Sequence, residues 1–154
     1  MDKKKVIDFT EEALSKNNSL FLISLDFMSD GKIAVVIDGD EGVPLSECIR
    51  VSRAVEANLD QEEEEEYSLE VSSPDITKPL LVIRQYKKNI GRNLSVKTKE
   101  DKIEGTLVEV ADDAISLEWS AREPKPIGKG KITVVKKATV AFNQIVEAKV
   151  KLIF

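Results

Sequence analysis

With 154 residues, the chain is long enough for one domain of ordinary size or for two small ones. It contains one cysteine and no histidine, which excludes an internal disulfide, a cysteine-based zinc cluster and nucleophile pairs that depend on histidine. Composition therefore favours a binding protein without a cofactor, and the alternative is a metal-dependent enzyme that uses aspartate and glutamate.

Charge is divided unevenly along the chain. Residues 1–83 carry 8 basic and 19 acidic side chains, a net charge of −11, whereas residues 84–154 carry 15 and 9, a net charge of +6. This asymmetry predicts two surfaces with different partners, although ordinary surface variation plus one acidic loop would give similar totals.

No apolar run approaches the roughly 20 residues that cross a bilayer. The N-terminus lacks a secretory apolar core, so we expect a cytoplasmic protein.

The first predicted elements are a helix and a β-hairpin. Residues 3–17 have helical periodicity, with Val6, Phe9 and Ala13 on one face. Residues 20–28 follow as a strand, and a Ser-Asp-Gly turn leads into a second strand, KIAVVID. Alternation in the first strand predicts four apolar side chains on the inner face: Phe21, Ile23, Leu25 and Phe27.

A second helix and a third strand complete the first half of the chain. The segment GDEGVPLSECIRVSRAVEANLD is predicted to be helical, because side chains of one face recur at steps of three and four: Leu45, Cys48, Ser52, Val55 and Leu59. Cys48 is interpreted as a small buried hydrophobe rather than a reactive thiol. The acidic run at 61–66 is predicted to be a solvated loop, and YSLEVSS to be a strand with Tyr67, Leu69 and Val71 inward. The result is an α+β fold, an α-β-β-α-β sandwich.

The turn before the second helix carries two weak motifs. Gly39-Asp40-Glu41-Gly42 matches the G-x-x-G clamp of KH domains, but its middle residues are acidic and it joins a strand to a helix, so a plain turn is the better interpretation. The spacing of Asp38, Asp40 and Gly42 is similar to the start of a calcium loop. Ile49 stands at the twelfth position, where that loop needs glutamate.

The second half begins with a predicted helix and continues as strands. In PLLVIRQYKKNIG, Leu80, Ile83 and Ile90 share a helical face, and Gly91 is typical of a helix end. Five short strands with turn residues between them predict a small SH3-like or OB-like barrel: NLSVKT, KIEGTLVEV, AISLEW, KATVAF and VEAKVKLIF. We therefore predict an N-terminal domain at 1–80, a connecting helix at 81–91 and a C-terminal barrel at 92–154.

The segment EVSSPDITKPL joins the two predicted domains. Pro74 and Pro79 remove backbone donors and restrict their own φ and the residue before each. Four nearby side chains are candidates to cap the helix that follows: Ser72, Ser73, Asp75 and Thr77. We predict a stiff corner between domains, and a corner that also contacts a partner is the alternative.

A basic stretch lies in the predicted barrel. The interval at 121–136 lacks clear periodicity and is predicted to be a long basic hairpin or loop. Residues 122–137 contain one acid, Glu123, and six basic groups that can contact RNA phosphates by charge: Arg122, Lys125, Lys129, Lys131, Lys136 and Lys137. A solvated loop is the alternative, and the Gly-Lys-Gly-Lys run lacks the other features of a phosphate-binding P-loop. No exposed aromatic run supports base stacking, and Trp119 is predicted to lie in the barrel core or at its rim.

The corner resembles a signature of the RimP family of bacterial ribosome maturation factors, Ser-Ser-Pro-Gly-Leu-Asp-Arg-Pro-Leu. Five residues match it: Ser72, Ser73, Pro74, Pro79 and Leu80. Asp75, Thr77 and Lys78 stand where the family has glycine, aspartate and arginine. Similar residues also occur upstream at Val36-Ile37-Asp38 and downstream at Ile90-Gly91, so the resemblance covers essentially the whole chain.

The resemblance implies an N-terminal α+β domain, a C-terminal Sm-like barrel and a non-enzymatic role in late assembly of the small (30S) ribosomal subunit. It also implies a monomer whose partners are the free small subunit, its 16S ribosomal RNA and the basic ribosomal protein near the decoding centre. The charge division agrees with this, since acidic residues such as Asp38, Asp40 and Glu41 suit a basic protein and the basic stretch suits RNA. A free-standing Sm-like RNA regulator that closes into a ring is the alternative.

Overall fold

A computed structural model describes residues 1–62 and 66–152 of the chain. The chain divides into two compact units, Met1–Asp75 and Ile76–Phe154. Within the described residues the architecture is α+β, with one sheet in each unit. This agrees with the predicted fold class at the level of helices and sheets.

The first unit packs two helices against a three-stranded sheet. Its elements are α1 (Lys3–Leu14), β1 (Leu20–Phe27), β2 (Lys32–Gly39), α2 (Leu45–Glu62) and β3 (Ser68–Ser72). The strands lie in the order β1-β2-β3. β1 and β2 form the predicted antiparallel hairpin, whereas β3 pairs parallel to β2. A parallel pair needs a crossover connection, and α2 supplies it.

The core of this unit forms where the helices cover the sheet. On α2, Val51, Val55 and Leu59 are fully buried and Cys48 is 6% exposed, so the prediction of a buried cysteine is confirmed. On α1, Val6 is fully buried. Burial of each such side chain stabilises the fold by about 1.5–3 kcal/mol relative to exposure.

Two apolar patterns of the first unit were predicted wrongly. Phe27 is the last residue of β1 and is 40% exposed, although Leu25 on the same face is buried. A bulge between Leu22 and Ser24 also interrupts strict alternation earlier in the strand. Leu45 in the first turn of α2 is 75% exposed, and Val51, rather than the predicted Ser52, is the buried residue between Cys48 and Val55.

The predicted ends of the helices also need correction. α1 ends at Leu14, three residues before the predicted end. The acidic run predicted as a loop begins inside α2, which extends through Glu62. Residues 63–65 of that run lie outside the described residues.

The second unit has a short helix followed by a five-stranded antiparallel sheet. Its elements are α3 (Ile83–Lys88), β4 (Asn93–Thr98), β5 (Lys102–Val110), β6 (Ala114–Pro124), β7 (Lys131–Ala141) and β8 (Ile145–Val150). A strand lies at each of the five predicted places, in the order β7-β6-β5-β4-β8. The last one ends at Val150, before its predicted end, and residues 153–154 of that prediction lie outside the described residues. Closure of this sheet into an Sm-like barrel stays a prediction.

Apolar residues of all five strands form the second core. Leu94, Val96, Leu107 and Leu117 are fully buried. Tyr86 of α3 packs edge-to-face with Phe142, with ring centroids 5.1 Å apart. Burial raises the pKa of the Tyr86 phenol, so the ring acts here as a neutral part of the core.

The helix before this sheet differs from its prediction. It is only six residues long, and its buried residues are Gln85 and Tyr86, whereas Ile83 and Ile90 are 39% and 50% exposed. The Oε1 atom of Gln85 accepts from the backbone N atoms of Leu81 at 2.7 Å and Val82 at 3.1 Å. A buried amide therefore organises the start of α3, and apolar periodicity does not reveal it.

Candidate interaction surfaces

β6 and β7 form a long hairpin that carries the predicted basic stretch. Their ladder runs from Ala114 opposite Ala141 to Pro124 opposite Lys131. At the tip, the backbone N of Lys125 donates to the Gly130 carbonyl at 3.1 Å. The interval that lacked periodicity is thus a hairpin, and both arms extend beyond the buried part of the sheet, where no burial pattern is imposed.

The register divides the six predicted RNA-contacting residues among three places. Cross-strand partners share a face of the sheet, so Arg122, Lys131 and Lys137 lie on one face. Lys136 lies on the other face, opposite Trp119, and its Nζ is 2.6 Å from Glu123 Oε1. Lys125 and Lys129 are at the tip.

All six side chains are exposed, and two of them, Arg122 and Lys136, already have partners within the hairpin. The Arg122 guanidinium donates to Thr133 Oγ1 at 3.2 Å and to the Lys131 carbonyl at 3.4 Å. Trp119 is half-buried and packs against the second core, as predicted. The free cationic ends therefore concentrate at the tip and on the face of Lys131 and Lys137.

The hairpin also exposes apolar groups that charge patterning does not single out. Ile127 at the tip is 89% exposed, and Val135 is 62% exposed. Val135 lies on the same face as Lys131 and Lys137. The surface available to a partner therefore combines cations with apolar side chains.

A groove of about 520 Å³ at the base of the hairpin has a different character. It is lined in part by Trp119, Lys151, Glu104 and Glu118. Lys151 Nζ lies 2.5 Å from Glu104 Oε2, and hydrogen bonding to this lysine lowers the pKa of the Glu104 carboxyl. Two carboxylates disfavour phosphate here, so the tip rather than the base suits an RNA backbone.

The predicted acidic contacts lie around the β2–α2 turn, and one needs correction. Asp38 is only 8% exposed, and its Oδ1 accepts from the Gly39 backbone N at 2.8 Å. Its carboxylate therefore offers little surface to a protein. Asp40 and Glu41 are exposed in the turn, where Gly42 has a φ of +91°. This geometry agrees with the plain turn predicted for the Gly-x-x-Gly run.

A groove that the sequence analysis missed runs beside β3. One part, of about 360 Å³, is lined by residues of α2 and β3 that include Leu45, Ile49, Leu69 and Val71. A second part, of about 620 Å³, is lined by Glu56, Asp60, Glu66, Tyr67, Ser68 and Leu69. We call these two parts together the α2–β3 groove. Leu45 and Ile49, two apolar residues at the start of α2 that remain exposed, are the feature of the sequence that could have indicated this groove.

Tyr67 organises the acidic part of the α2–β3 groove. Its hydroxyl donates to Asp60 Oδ1 at 2.7 Å and also lies 3.5 Å from the Glu56 carbonyl. Burial first, and then the bond to Asp60, raise the pKa of the Tyr67 phenol well above its ordinary value. The phenol therefore stays protonated and leaves the carboxylates as the charged groups of this part of the surface.

The predicted corner lies at the boundary of the two compact units. Ser72 is the last residue of β3, and the units divide between Asp75 and Ile76. The backbone N of Leu80 donates to the Ala148 carbonyl at 2.8 Å, which fixes Leu80 to β8 of the second unit. Capping of α3 by the polar corner residues stays a prediction; α3 begins at Ile83, and the side chain of Gln85 accepts from the backbone amides of Leu81 and Val82.

Two further features are absent from the part of the chain that the structure describes. Among residues 1–62 and 66–152, no three or more acidic or cysteine side chains are grouped so as to hold a metal ion. In the same residues, no helix combines the length and apolar character that crossing a membrane requires.

Comparison with known proteins gives consistent results over the whole chain. A family profile described as the RimP N-terminal domain matches residues 11–77. A ribosome maturation factor RimP from Christiangramia forsetii is 54% identical over 154 residues, which is 100% of both chains. One from Flavobacterium psychrophilum is 49% identical, covering 99% of this chain and 98% of its own. One from Porphyromonas gingivalis is 34% identical, covering 96% and 97%.

Proposed function

Because the chain belongs to the RimP family of ribosome maturation factors, we propose that it assists a late step in assembly of the small (30S) ribosomal subunit. It does so by binding the free subunit in the cytoplasm as a monomer, without catalysing a reaction. The observation that carries this proposal is the 54% identity over the full length of a relative that is named a ribosome maturation factor.

The RNA-binding part of the proposal places 16S ribosomal RNA against the β6–β7 hairpin. The second unit has 16 basic and 9 acidic side chains, a net charge of +7. Lys125, Lys129 and Lys131 lie at or next to the tip, exposed to solvent. Their ammonium groups displace counterions from phosphates, which makes binding favourable and dependent on salt.

The protein-binding part places a basic ribosomal protein, the one near the decoding centre, against the first unit. This unit has 7 basic and 19 acidic side chains, a net charge of −12. Complementary charge speeds encounter and disfavours acidic competitors. Asp40 and Glu41 supply part of the exposed charge, and Glu56, Asp60 and Glu66 of the α2–β3 groove supply more.

Two organisational features complete the proposal. The second sheet closes into an Sm-like barrel, so that 1–80 and 92–154 act as domains on either side of residues 81–91. The corner at Ser72, Ser73, Pro74, Pro79 and Leu80 limits the freedom of the backbone between them, since each proline fixes its own φ and restricts the residue before it.

Sedimentation of cell extract in sucrose gradients tests the subunit assignment. We expect the protein to co-migrate with free small subunits and to be absent from complete ribosomes. Equal amounts in both fractions, or none with the small subunit, would contradict the proposal.

Substitution of hairpin lysines tests the RNA contact. Lys125→Gln, Lys129→Gln and Lys131→Gln together should weaken subunit binding and reduce the slope of log affinity against log salt by about 2, since each lost phosphate contact removes about 0.7–0.9. The matched control is Lys3→Gln, Lys4→Gln and Lys5→Gln, which removes the same charge from the exposed start of α1. An unchanged slope for the hairpin variant, or an equal loss in the control, would refute the role of the hairpin.

A further inference from the structure

β3 is an edge strand whose backbone has one side without a partner strand among the described residues. The backbone N of Ser68 donates to the Gly31 carbonyl at 3.2 Å, and Ser68 is in register with Lys32. In a parallel ladder, alternate residues turn both N–H and C=O toward the neighbouring strand. Leu69 and Val71 therefore turn their backbone groups away from β2, toward the free edge.

The α2–β3 groove opens beside this free edge. Its lining residues come from α2, β3 and the two residues before β3, and none of them belongs to β2. Its two parts share Glu56 and Leu69, so they form one track along the strand. A five-residue strand such as β3 is about 17 Å long, which is enough to pair with a peptide segment of similar length.

The two ends of this track differ chemically. At one end, Leu45 and Ile49 are 75% and 43% exposed and lie near Val71. At the other end, Glu56, Asp60 and Glu66 supply negative charge. The apolar part is also lined by Arg53 and Glu70, and the Glu70 carboxylate is paired with Lys32. The negative charge that has no such neighbouring cation therefore lies mainly toward Ser68.

We propose that the free edge of β3 and the α2–β3 groove bind an extended peptide segment that presents apolar side chains at one end and lysine or arginine at the other. The segment adds as a fourth strand, hydrogen-bonded to the backbone of Leu69 and Val71. Its alternate side chains fill the groove, where exposed apolar surface and carboxylates complement them. The inference rests on the proposed function for the source of the segment, a basic ribosomal protein.

Strand addition suits this surface better than a docked helix does. Only an extended segment satisfies the two outward N–H and C=O pairs of β3, because a helix uses its own backbone groups internally. A second copy of this chain is another occupant that pairs strand to strand. Concentration-dependent dimerisation of the free protein through this edge would overturn the proposal.

Synthetic peptides provide a direct probe. Val-Thr-Val-Thr-Lys-Thr-Lys places two apolar and two basic side chains on one face of a strand, and Lys-Thr-Lys-Thr-Val-Thr-Val tests the opposite direction. We expect one of them to bind the full-length protein and to slow hydrogen exchange at the amides of Leu69 and Val71. The amides of Glu70 and Ser72 face β2 and serve as internal controls. No binding by either peptide, binding without protection of Leu69 and Val71, or equal binding of versions with glutamate for lysine would overturn the proposal.

Variants locate the site independently of exchange. Ile49→Lys places a cation in the groove and should weaken binding of the peptide about tenfold, whereas Ala57→Lys adds the same charge at an exposed position of α2 that does not line the groove and should change it less than about twofold. Val71→Pro removes an outward amide without removing a ladder bond, and should also weaken binding about tenfold. Equal effects of Ile49→Lys and Ala57→Lys would count against the groove.

The outcome is separable from that of the proposed function. If the wild-type protein co-sediments with small subunits but binds neither peptide, the strand-addition site is wrong and the assembly role stands. If a peptide binds as expected but no co-sedimentation occurs, the site is supported and the assembly role is wrong.

Discussion

The two units of this chain build their cores in different ways. In the first, helices α1 and α2 cover a three-stranded sheet, and the parallel strand β3 depends on α2 to cross over. In the second, neighbouring strands are joined antiparallel and α3 adds a single short helix. The first unit has a net charge of −12 and the second +7. Core architecture and net charge thus change together at one boundary of the chain.

Truncation of a buried leucine in each unit should have the largest effect on the free energy of unfolding, and it tests directly whether the two cores are separate. Leu59 and Leu117 are both fully buried, in separate cores. Leu59→Ala and Leu117→Ala should each lower the free energy of unfolding by about 2–5 kcal/mol. Native-state hydrogen exchange should show the loss in the unit that carries the substitution.

Exposed leucines provide the controls for these truncations. Leu45 and Leu81 are 75% and 66% exposed, one in each unit. Leu45→Ala and Leu81→Ala should change the free energy of unfolding by less than about 0.5 kcal/mol. If Leu59→Ala lowered amide protection equally in both units, the division into two cores would be wrong.

One glycine in each unit lies close to backbone of another residue, and substituting these glycines should have a smaller effect on the free energy of unfolding. A Cβ atom added to Gly39 would collide with the Gly42 carbonyl, and one added to Gly105 would lie 2.9 Å from the Glu118 carbonyl. Gly39→Ala and Gly105→Ala should each cost about 1–3 kcal/mol of unfolding free energy, because backbone must move in both cases. Chemical denaturation of the purified variants measures this cost.

Gly128, at the hairpin tip, provides the control for these glycine variants, because its substitution should cost less unfolding free energy. Gly128 has a φ of +87° and nothing within 4 Å of an added Cβ atom. Gly128→Ala should therefore cost only the conformational penalty of about 1–2 kcal/mol. A smaller loss for Gly105→Ala than for Gly128→Ala would show that β5 and β6 separate easily at this point.

Two carboxyl groups with lowered pKa values give the smallest effect. Hydrogen bonds from Arg50 and then Asn17 lower the pKa of Glu47 below its ordinary value of 4.5, and hydrogen bonding from Lys151 does the same for Glu104. A carboxyl whose pKa is lower in the folded state contributes stability above its unfolded pKa. That contribution is lost as pH falls through the folded pKa. The stabilising contributions of Glu47 and Glu104 should therefore decrease only as the pH falls below about 4.5.

A crossed pair of variants tests these assignments. Arg50→Gln should raise the pKa of Glu47 and leave that of Glu104 unchanged, and Lys151→Gln should do the reverse. NMR titration of the side-chain carboxyl carbons measures both values in each variant. A shift of both carboxyls in either variant would mean that the pairs are not independent.

The strands were predictable because alternation and turn residues are local signals. KIAVVID and AISLEW carry their period of two in the sequence itself, and both lie where predicted. The bulge in β1 was not predictable, since Ile23 looks like any other inward residue until its partner strand is placed. The face of α3 was missed for a similar reason, because Gln85 is buried only through bonds to Leu81 and Val82.

The candidate surfaces show the same division between local and distant signals. Charge counting found the basic stretch, but only the register of β6 and β7 places Lys136 on a different face from Lys131. Charge counting also placed Asp38 among the candidate contacts for a basic protein, but the fold around this residue buries it. The α2–β3 groove escaped the sequence analysis because it exists only once β3 pairs on the far side of β2.

The buried Cys48 allows the protection of the first unit to be measured by thiol labelling. It is the single cysteine, it is 6% exposed, and burial raises the pKa of its thiol. Alkylating reagents attack the thiolate, so burial and the raised pKa should slow modification of Cys48 in the native protein, where it lines the α2–β3 groove. The labelling rate, divided by that of a short cysteine peptide, measures how strongly the fold of the first unit protects this side chain. Such a measurement needs no engineered probe, because no second thiol contributes to the signal.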